Sequence, residues 1–488
     1  MENSSLSKVE IDELIKVIQN LYLEDEIPWV VGYSGGKDST AVLQLVWIAL
    51  TKLTRAQRSN KPVHVISTDT LVESPVVAAW VKQSLEQMKA AAADQDLPIE
   101  VHRLTPAYNN TFWVNLIGKG YPAPRPYLRW CTSRLKIEPS NTFIFNVIDS
   151  YGEAILVLGT RKAESTRRAA TMNIYEKQRL RDYLSPNASL QNSYVFSPIE
   201  NWSNDNVWQF LMQCKNPWDY SNKDLLSMYR GATDDGECPL VLDTNTPSCG
   251  SSRFGCWVCT LVEEDKSMAA MIQNDEEKVW MTPLLEFRNE LADWENDRER
   301  REFRRKNGRL MLHRDRLVHG PYTKANREEF LGRLLKIQKQ INIDGPEEFR
   351  DLKLITDEEL REIRRIWLIE KHEFDDALPR IYREITGKRY PYEDENKNIF
   401  FGADEWKLLK EICDEMYPEE ELLLQLSASL LDIERQTSIL NLRKGVLSSM
   451  EETIRRCCYK NEEDAETVAQ GRADRAEVSV DTVLEGDL

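Results

Sequence analysis

The sequence has no run of eighteen or more consecutive apolar residues, although hydrophobic residues make up 41% of the chain. A helix that crosses a membrane needs about 20 such residues, so the sequence predicts none. The first ten residues also lack the basic and then apolar profile of a signal peptide. We therefore expect a cytoplasmic protein without a membrane partner. In that compartment its nine cysteines are expected to bind metal, act in catalysis or be buried, rather than form disulfides.

An excess of basic charge is absent as well, because the formal net charge is −17. This argues against indiscriminate binding to nucleic acid. The charge is uneven along the chain. Residues 461–488 contain nine acids and two bases and are predicted to be a disordered acidic tail. Residues 161–181 carry seven bases and two acids, and residues 298–316 carry nine and three, so both stretches can face phosphates. As a helix, the second stretch would interleave its charges, which favours a solvated, salt-bridged face.

Strands and helices alternate in the first half of the predicted structure. Short apolar runs at residues 27–33, 63–67, 99–104 and 154–159 predict strands, and helical spacing predicts helices at 7–23, 38–51 and 75–93. This alternation indicates an α/β fold with a parallel sheet covered by helices on both faces. Beyond residue 263 the chain is charged and helical, as at 328–341 and 419–442. We predict four parts, namely an α/β catalytic domain (1–230), a cysteine segment (231–262), a helical domain (263–460) and the tail.

A glycine-rich loop, V-V-G-Y-S-G-G-K-D-S at residues 30–39, lies between a predicted strand and a predicted helix. Glycines let backbone N–H groups approach phosphate oxygens, and the helix directs its positive end at them. Asp38 is placed to cap the helix or to help hold Mg²⁺. The predicted nucleotide-binding residues of the loop are Tyr33, Ser34, Gly35, Gly36, Lys37, Asp38 and Ser39, of which the last three are also predicted to be catalytic.

The loop is not a Walker A motif, which requires Ser or Thr directly after the lysine. S-G-G-x-D-S instead resembles the PP-loop of enzymes that cleave ATP between its α and β phosphates. The resemblance implies ATP and Mg²⁺ as ligands and release of pyrophosphate. The alternative is a tight turn that happens to join a strand to a helix. Five matching positions in a strand–loop–helix setting argue against that alternative.

Further candidate residues follow two other predicted strands at the same edge of the sheet. Asp69 ends the second strand, where a role as a helix cap and a role in the nucleotide site are equally compatible with the sequence. Gly159 and Arg161 follow the fourth strand, with Arg167 and Arg168 close behind. Arginines at this edge can hold phosphate or sulfate bidentately. A solvated basic loop is the alternative.

Three later stretches, R-W-C-T-S-R-L-K-I-E-P (129–139), G-T-R-K-A-E-S (159–165) and P-I-E-N-W-S-N-D-N-V-W (198–208), complete a pattern with the loop. Together they resemble the phosphoadenylyl-sulfate reductase family over roughly residues 27–211. The family's nucleophilic cysteine in a terminal E-C-G motif is missing, and Trp130 precedes Cys131 where the iron–sulfur subgroup has a Cys–Cys pair. These departures argue against a sulfate-assimilating reductase.

Four cysteines form C-x10-C-x6-C-x2-C at Cys238, Cys249, Cys256 and Cys259. Four thiolates within such a short Gly/Ser/Pro-rich stretch suit one metal centre, and the spacing leaves structural zinc and [4Fe–4S] equally open. Cys131 lies beside Arg129 and Arg134, a setting expected to lower its pKa, so a catalytic role stands beside a structural one.

The loop, the four cysteines and the later H-G-P-Y-T (319–323) together resemble the ATP-pyrophosphatase family of the Dnd system, which places phosphorothioates in DNA. This resemblance runs to about residue 340. It implies a [4Fe–4S] cluster on the four cysteines, DNA as substrate, and a cysteine desulfurase and other Dnd proteins as partners. It further implies that a DNA backbone phosphate is adenylylated and that sulfur then replaces a non-bridging oxygen. Thiolation of tRNA, sulfonucleotide reduction and a non-catalytic zinc scaffold are the alternatives.

Overall fold

The computed structural model describes residues 6–58, 61–187, 189–232, 255–314, 316–395, 403–417, 421–438, 445–456, 459 and 461–472. The chain divides into two compact units. Unit 1 comprises Met1–Ala107 and Pro124–Asn289, and unit 2 comprises Tyr108–Ala123 and Glu290–Leu488. The boundaries at residues 230, 262 and 460 stay predictions.

Unit 1 contains a six-stranded sheet in the order β3-β2-β1-β4-β6-β5. Its strands are β1 (Trp29–Gly32), β2 (Val63–Thr68), β3 (Ile99–Leu104), β4 (Ala154–Val157), β5 (Ser185–Pro186) and β6 (Ser193–Phe196). All neighbours pair in parallel except β5, which is antiparallel to β6. The predicted α/β class with a mainly parallel sheet is confirmed, as are the four predicted strands. The sequence analysis missed β5 and β6.

Both faces of the sheet are buried, which explains the uninterrupted apolar runs of its central strands. Trp29 and Val31 of β1 belong to the large core on one face, whereas Val30 belongs to a smaller core on the other. This alternation follows from the two-residue period of a strand.

The helices of unit 1 cover the sheet and include every helix that the sequence predicted there. They are α1 (Lys8–Leu23), α2 (Lys37–Thr51), α3 (Arg55–Arg58), α4 (Pro75–Asp94), α5 (Glu138–Tyr151), α6 (Thr166–Glu176), α7 (Asn204–Gln213), α8 (Asn222–Gly231), α9 (Lys266–Asn274) and α10 (Thr282–Leu291), with a π-helix at Thr132–Ile137 and 3-10 turns at Lys162–Glu164 and Glu276–Met281. Helix α1 begins at a capping box, in which Ser7 and Glu10 satisfy each other's backbone N–H groups.

Unit 2 is predominantly helical, as predicted. Its elements are the hairpin of β7 (Leu312–His313) and β8 (Arg316–Leu317), helices α11 (Lys324–Asp344), α12 (Asp357–Arg365), α13 (Ala377–Thr386), α14 (Ala403–Met416), α15 (Glu421–Ser438) and α16 (Val446–Arg456), π-helices at Val114–Gly118 and Ile366–Glu370, and 3-10 turns at Tyr108–Asn110 and Glu347–Phe349. Indole N–H groups join its segments, since Trp113 donates to the Leu354 carbonyl at 2.8 Å and Trp367 to that of Ile117 at 3.0 Å. Helix α11 confirms the predicted helical stretch at 328–341, and α15 confirms the described part of the stretch at 419–442, residues 421–438.

Two predictions for the charged segments differ from the structure. The described part of residues 298–316 forms turns and the β7–β8 hairpin rather than a helix. Gly308, with a φ of +73°, lies in one of these turns, where its N–H donates to the Arg305 carbonyl at 2.8 Å. Within the predicted disordered tail, residues 462–472 form a helix. Ala465 and Ala469 on this helix are buried in a small core with Leu317, which supplies the apolar contact that its charge pattern conceals. Residues 473–488 lie outside the described part of the chain.

The sequence predicts no membrane-spanning helix. Across the described ranges, no helix combines the length and the apolar character that crossing a bilayer requires.

Candidate nucleotide and thiol site

A cavity of about 1020 Å³ opens at the carboxyl edge of the sheet in unit 1. Gly32 at the end of β1, Thr68 at the end of β2 and Leu158 just after β4 all line it. Ligands of open α/β sheets bind at this edge, because the loops there leave a crevice between neighbouring strands. The cavity lies where the sequence predicts the nucleotide site.

Gly35 shapes the loop that enters this cavity. Its φ is +76°, a conformation that L-residues with a side chain rarely adopt, and a Cβ atom would lie 2.4 Å from Cγ2 of Val81 on α4. The backbone conformation and the close approach of α4 therefore both require glycine at this position.

Helix α2 presents an uncapped amino-terminus to the cavity. It begins directly after Gly36, which has no side chain to accept from the first backbone N–H groups. Those groups have no partners within the helix, and the helix dipole adds partial positive charge. The N–H of Lys37 donates to the Tyr229 hydroxyl at 3.3 Å. The helix start is thus built to receive an anion.

The two loop serines hold the backbone in shape. The Ser34 N–H donates to Oγ of Ser39 at 3.1 Å, and Oγ of Ser39 in turn donates to the Gly36 carbonyl at 3.0 Å. Both serines line the cavity. Tyr33 differs, since its hydroxyl bonds Oγ of Ser84 at 2.8 Å within the core. Its contribution to the loop is therefore chiefly its backbone.

Asp38 lies inside the first turn of α2 and does not cap it, because the cap position belongs to Gly36. Its carboxylate accepts from Nε of Arg161 at 2.7 Å and from Nζ of Lys37 at 3.2 Å. The buried Arg161 also donates from Nη1 to the Trp202 carbonyl at 3.3 Å. Arg161, predicted as a phosphate or sulfate ligand, thus uses part of its donor capacity to position Asp38.

Gly159 allows the end of β4 to approach α2. A Cβ atom there would lie 2.8 Å from the carbonyl carbon and oxygen of Asp38 and 3.0 Å from the Ser39 nitrogen. Backbone atoms cannot move aside as a flexible side chain can, so only glycine fits. The role of this glycine is packing against the phosphate loop.

Asp69 lines the cavity and is fixed by two contacts. One oxygen accepts from the Leu71 N–H at 2.7 Å, and the other accepts from Nε of Arg103 at 3.0 Å. Helix α4 begins after Ser74, five residues later, so Asp69 is not its cap. Of the two roles left open for Asp69, the structure removes the helix cap.

The two remaining arginines of the predicted site, Arg167 and Arg168, differ in whether they line the cavity. Arg168 lines the cavity and pairs with Glu164, whereas Arg167 is not among the described residues that line it. Both belong to α6, a helix with no buried residue. The predicted basic stretch therefore contributes Arg161 and Arg168 to the cavity, and its other charges face solvent or neighbouring acids.

The turn that carries Cys256 and Cys259 is anchored beside the cavity. The Cys259 N–H donates to the Cys256 carbonyl at 3.0 Å, and the Trp257 N–H donates to that of Val72 at 3.0 Å. Arg288 closes the turn from behind by donating to the Cys259 carbonyl at 2.8 Å. Two thiols three residues apart on a fixed turn suit a thiolate-bound metal centre. The other two predicted ligands, Cys238 and Cys249, lie outside the described residues.

Glu73 and Lys136 connect the cavity with the Cys256 thiol. Both line the cavity, and their charged groups lie 3.6 Å apart. Oε1 of Glu73 is 3.7 Å from Sγ of Cys256, and Oγ1 of Thr70 is 3.3 Å from the same sulfur. Burial, together with the nearby Glu73 carboxylate, raises the pKa of Cys256 to about 12, and the positive charge of Lys136 opposes this shift.

Cys131 does not have the lowered pKa that its neighbouring arginines led us to expect. Burial raises the pKa of its thiol, and proximity to Cys259 adds to the increase, which outweighs the effect of Lys136. The sequence shows the basic neighbours but not the burial, and burial has the larger effect here. Cys131 is therefore near the cysteine turn, yet it is mainly a neutral thiol in this state.

Four residues of the site were not identified from the sequence, namely Glu73, Arg103, Lys136 and Tyr229. None lies in the glycine loop or in a recognisable cluster. Lys136 lies within the R-W-C-T-S-R-L-K-I-E-P stretch, and that position could have identified it as a candidate site residue. The others are brought to the cavity only by folding.

Known proteins are similar to the part of the chain that contains the cavity. The sequence profile of the phosphoadenosine phosphosulfate reductase domain matches residues 28–261, the part of the chain that contains the residues lining the cavity. An uncharacterized protein of Methanocaldococcus jannaschii is 29% identical over 250 residues, which cover 51% of this chain and 39% of the relative. The chain thus spans about two fifths of the length of that relative.

Two solved structures are also similar to this chain. Phosphoadenylyl-sulfate reductase from Candida auris, in a phosphate complex, is 16% identical, and the match covers 43% of this chain and 89% of that one with a TM-score of 0.26. FMN adenylyltransferase from Candida glabrata, in complex with FMN and an ATP analogue, is 14% identical. The match covers 43% of this chain and 58% of that one, with a TM-score of 0.26.

Proposed function

We propose, from the reductase-like domain of residues 28–261, that this protein is an ATP pyrophosphatase and sulfurtransferase that modifies the DNA backbone. In this proposal it adenylylates a backbone phosphate and sulfur then replaces a non-bridging oxygen. One observation carries the proposal, namely that the uncapped start of α2 lines the same cavity as Glu73 and Lys136, and that Glu73 lies against the Cys256 thiol. An anion site with a thiol directly behind its wall suits a reaction that uses both.

The phosphates of ATP fit the start of α2. The backbone N–H groups beyond Gly36 and the ammonium of Lys37 supply donors and positive charge, as pyrophosphate requires when it leaves. Asp38 and Asp69 are the nearby carboxylates, and either can hold Mg²⁺ directly or through water. Arg161 keeps Asp38 at the loop.

The chemistry has two balanced steps. In the first, a non-bridging oxygen of the DNA phosphodiester attacks the α-phosphorus of ATP, and the bond to the β-phosphate breaks to release pyrophosphate. The product is a mixed anhydride of the phosphodiester and AMP. In the second, hydrosulfide attacks the DNA phosphorus and displaces AMP, which takes the original oxygen with it. A thiol reductant releases this hydrosulfide from the persulfide of a cysteine desulfurase and is itself oxidised to a disulfide. The proton of the hydrosulfide is released to solvent or to a nearby base.

The cysteines are proposed to hold a [4Fe–4S] cluster, with zinc as the alternative. Cys256 and Cys259 fit as two of its ligands because they share a fixed turn, and Cys238 and Cys249 are proposed as the others. Such a cluster supplies redox-active iron and sulfide when bound. Within the chain itself, Lys136 places a positive charge beside Cys256 that favours its thiolate form. Cys131 is proposed as a catalytic thiol close to Cys259.

Pyrophosphate release from ATP, with DNA present, tests the loop. Lys37→Ala should lower the rate at least about 100-fold, the usual effect of removing one donor that stabilises developing charge. Ser39→Ala should lower the rate as well, because it removes both the hydroxyl and a bond that shapes the loop. Lys52→Ala is the matched control, since this lysine lies just beyond the far end of α2 and pairs with Asp12 on the surface. Parent-like release by Lys37→Ala would rule out the loop assignment.

The substrate is tested in a host that carries the other Dnd proteins. Mass spectrometry of nuclease-digested DNA should detect phosphorothioate dinucleotides with the parent protein and none with Lys37→Ala. Loss of a thiolated tRNA base instead would identify the tRNA-modifying alternative. Sulfite release from phosphoadenylyl sulfate would identify the reductase alternative. Wild-type levels of phosphorothioate in the Lys37→Ala strain would refute the proposal.

A further inference from the structure

Two histidines and a glutamate meet on one face of the sheet in unit 1, outside the nucleotide cavity. His64 is on β2, and Glu100 and His102 are on the neighbouring strand β3. None of the three is among the described residues that line the cavity. Neither the proposed ATP chemistry nor the cysteine turn uses them, so the cluster needs an explanation of its own.

Strand register places the three side chains together. His64 is the direct partner of Glu100 in the parallel β2–β3 ladder, and His102 follows Glu100 by two residues. Residues two apart on a strand share a face, and direct partners share it as well. The face is the one that α5 covers, because the Phe143 ring lies 5.5 Å from the ring of His64 and 4.7 Å from that of His102.

Three possible ligand atoms converge on one point. Nδ1 of His64 is 3.2 Å from Nε2 of His102 and 3.3 Å from Oε2 of Glu100, and the same oxygen is 3.6 Å from Nε2 of His102. A tetrahedral zinc ion with ligands at about 2.0–2.2 Å separates neighbouring ligand atoms by about 3.3–3.6 Å. The observed triangle matches these separations closely.

The cluster also has the burial expected of an open metal site. The His64 side chain is 9% exposed, and its other ring nitrogen, Nε2, has no hydrogen-bond partner among the described residues. All the polar interaction that offsets its burial must therefore come through Nδ1. The His102 side chain is 31% exposed and that of Glu100 59%, so solvent reaches the opposite side of the triangle. Water can occupy a fourth position there.

We propose that His64, His102 and Glu100 form a three-ligand site for a zinc-class divalent cation, with its fourth position open to solvent. Two imidazoles and a carboxylate are a donor set suited to zinc. The ion would join the edge strand β3 to β2 on the side of the sheet that has the smaller apolar core. The site is separate from the four-cysteine segment, so the chain would hold two kinds of metal centre.

Isothermal titration of the full-length protein with Zn²⁺ tests the site. We expect a binding event that weakens at least about 100-fold in His102→Ala, since even loss of an outer-sphere partner costs 10- to 100-fold. Glu100→Gln should weaken it as well, and His313→Ala, which removes an exposed histidine of unit 2, should leave it unchanged. Every variant keeps all nine cysteines, so zinc bound by thiols cancels in the comparison.

Cobalt provides an independent readout. Co²⁺ bound by imidazole and carboxylate lacks the thiolate-to-metal charge-transfer absorption that a cysteine site produces. We expect a visible d–d band without that absorption, present in His313→Ala and absent in His102→Ala. The proposal would be overturned if His102→Ala or Glu100→Gln bound zinc as tightly as the parent does. It would also be overturned if the parent showed no zinc binding beyond that of these variants.

Discussion

Nε of Arg161 lies 2.7 Å from Oδ1 of Asp38, which joins the loop after β4 to the first turn of α2. The two residues are 123 positions apart in the sequence. The arginine side chain is 4% exposed and the aspartate 25%, so water screens this ion pair only in part. The pair fixes a carboxylate beside the glycine-rich loop, where the proposed nucleotide would meet its charge.

Removal of either partner should damage both folding and catalysis. Arg161→Met leaves the Asp38 carboxylate without its buried partner, and breaking such a pair costs about 3–5 kcal/mol, reduced here because Asp38 is partly exposed. Urea unfolding measures this cost, and a cycle with Asp38→Asn isolates the coupling between the two residues. Arg168→Ala, which breaks a surface pair, is the control and should cost less than about 1 kcal/mol. Strictly additive effects of the two substitutions would contradict the prediction.

Gly35→Ala should disrupt the loop more than its backbone conformation alone explains. Gly152 also has a positive φ, but nothing lies within 4 Å of a Cβ atom there. Gly152→Ala therefore measures the conformational cost, about 1–2 kcal/mol, and Gly35→Ala adds the overlap with Val81. We expect Gly35→Ala to lose more unfolding free energy than Gly152→Ala and to lose ATP affinity in calorimetry, while Gly152→Ala keeps it. Equal ATP affinity in both variants would show that the close approach is unimportant.

The metal content of the cysteine segment should depend on the anchored turn. After anaerobic purification, Cys256→Ala and Cys259→Ala should lose most of the iron and labile sulfide that the parent contains. Cys214→Ala is the matched control, because this half-buried thiol follows α7 and is not part of the turn. Iron and zinc analysis of the same samples distinguishes the two metals. Full metal content in Cys256→Ala would contradict the proposed ligand set.

Glu359 should make the stability of unit 2 depend on pH. Burial raises the pKa of this carboxyl in the folded state, whereas in the unfolded state it is about 4.3. Because the folded pKa is the higher one, the folded state favours the protonated carboxyl. The contribution of this group to stability is thus greatest below about pH 4.3 and declines as pH rises through the folded pKa.

Glu359→Gln should therefore stabilise unit 2 at pH 8 and have little effect near pH 4. The amide oxygen still accepts from the Thr356 N–H, as the carboxylate does at 2.9 Å. Urea unfolding at the two pH values measures the difference. The exposed neighbour Glu358→Gln is the control and should show no such dependence. An equal effect of Glu359→Gln at both pH values would count against a raised pKa.

Much of the fold could be predicted because its signals are local. The apolar runs of β1 to β4 and the helical spacing of α1, α2 and α4 lie within short windows of sequence, and the structure confirms them. The short strand β6 and the helix at residues 462–472 were missed. Each depends on a partner far along the chain, β4 in one case and the Leu317 core in the other.

The site shows the same division between local and distant interactions. The sequence placed Ser34–Ser39 at a helix start and grouped the cysteines, yet one of the two roles it left open for Asp38 was a helix cap, and it indicated a lowered pKa for Cys131. Asp38 instead meets Arg161, and burial dominates at Cys131. A sequence shows which charges are close along the chain, but it does not show which of them folding removes from water.

The sequence by itself determined the α/β class, the glycine-rich loop at the start of a helix and the grouping of the thiols, because each is a property of residues close together in the chain. Only the tertiary structure decided that Glu73 and Lys136 lie between the cavity and Cys256, and that His64, Glu100 and His102 form a triangle. Those contacts join residues up to 183 positions apart. They exist because the buried faces of the sheet set the register of its strands, and packing of this kind is specified by the whole chain rather than by any one segment.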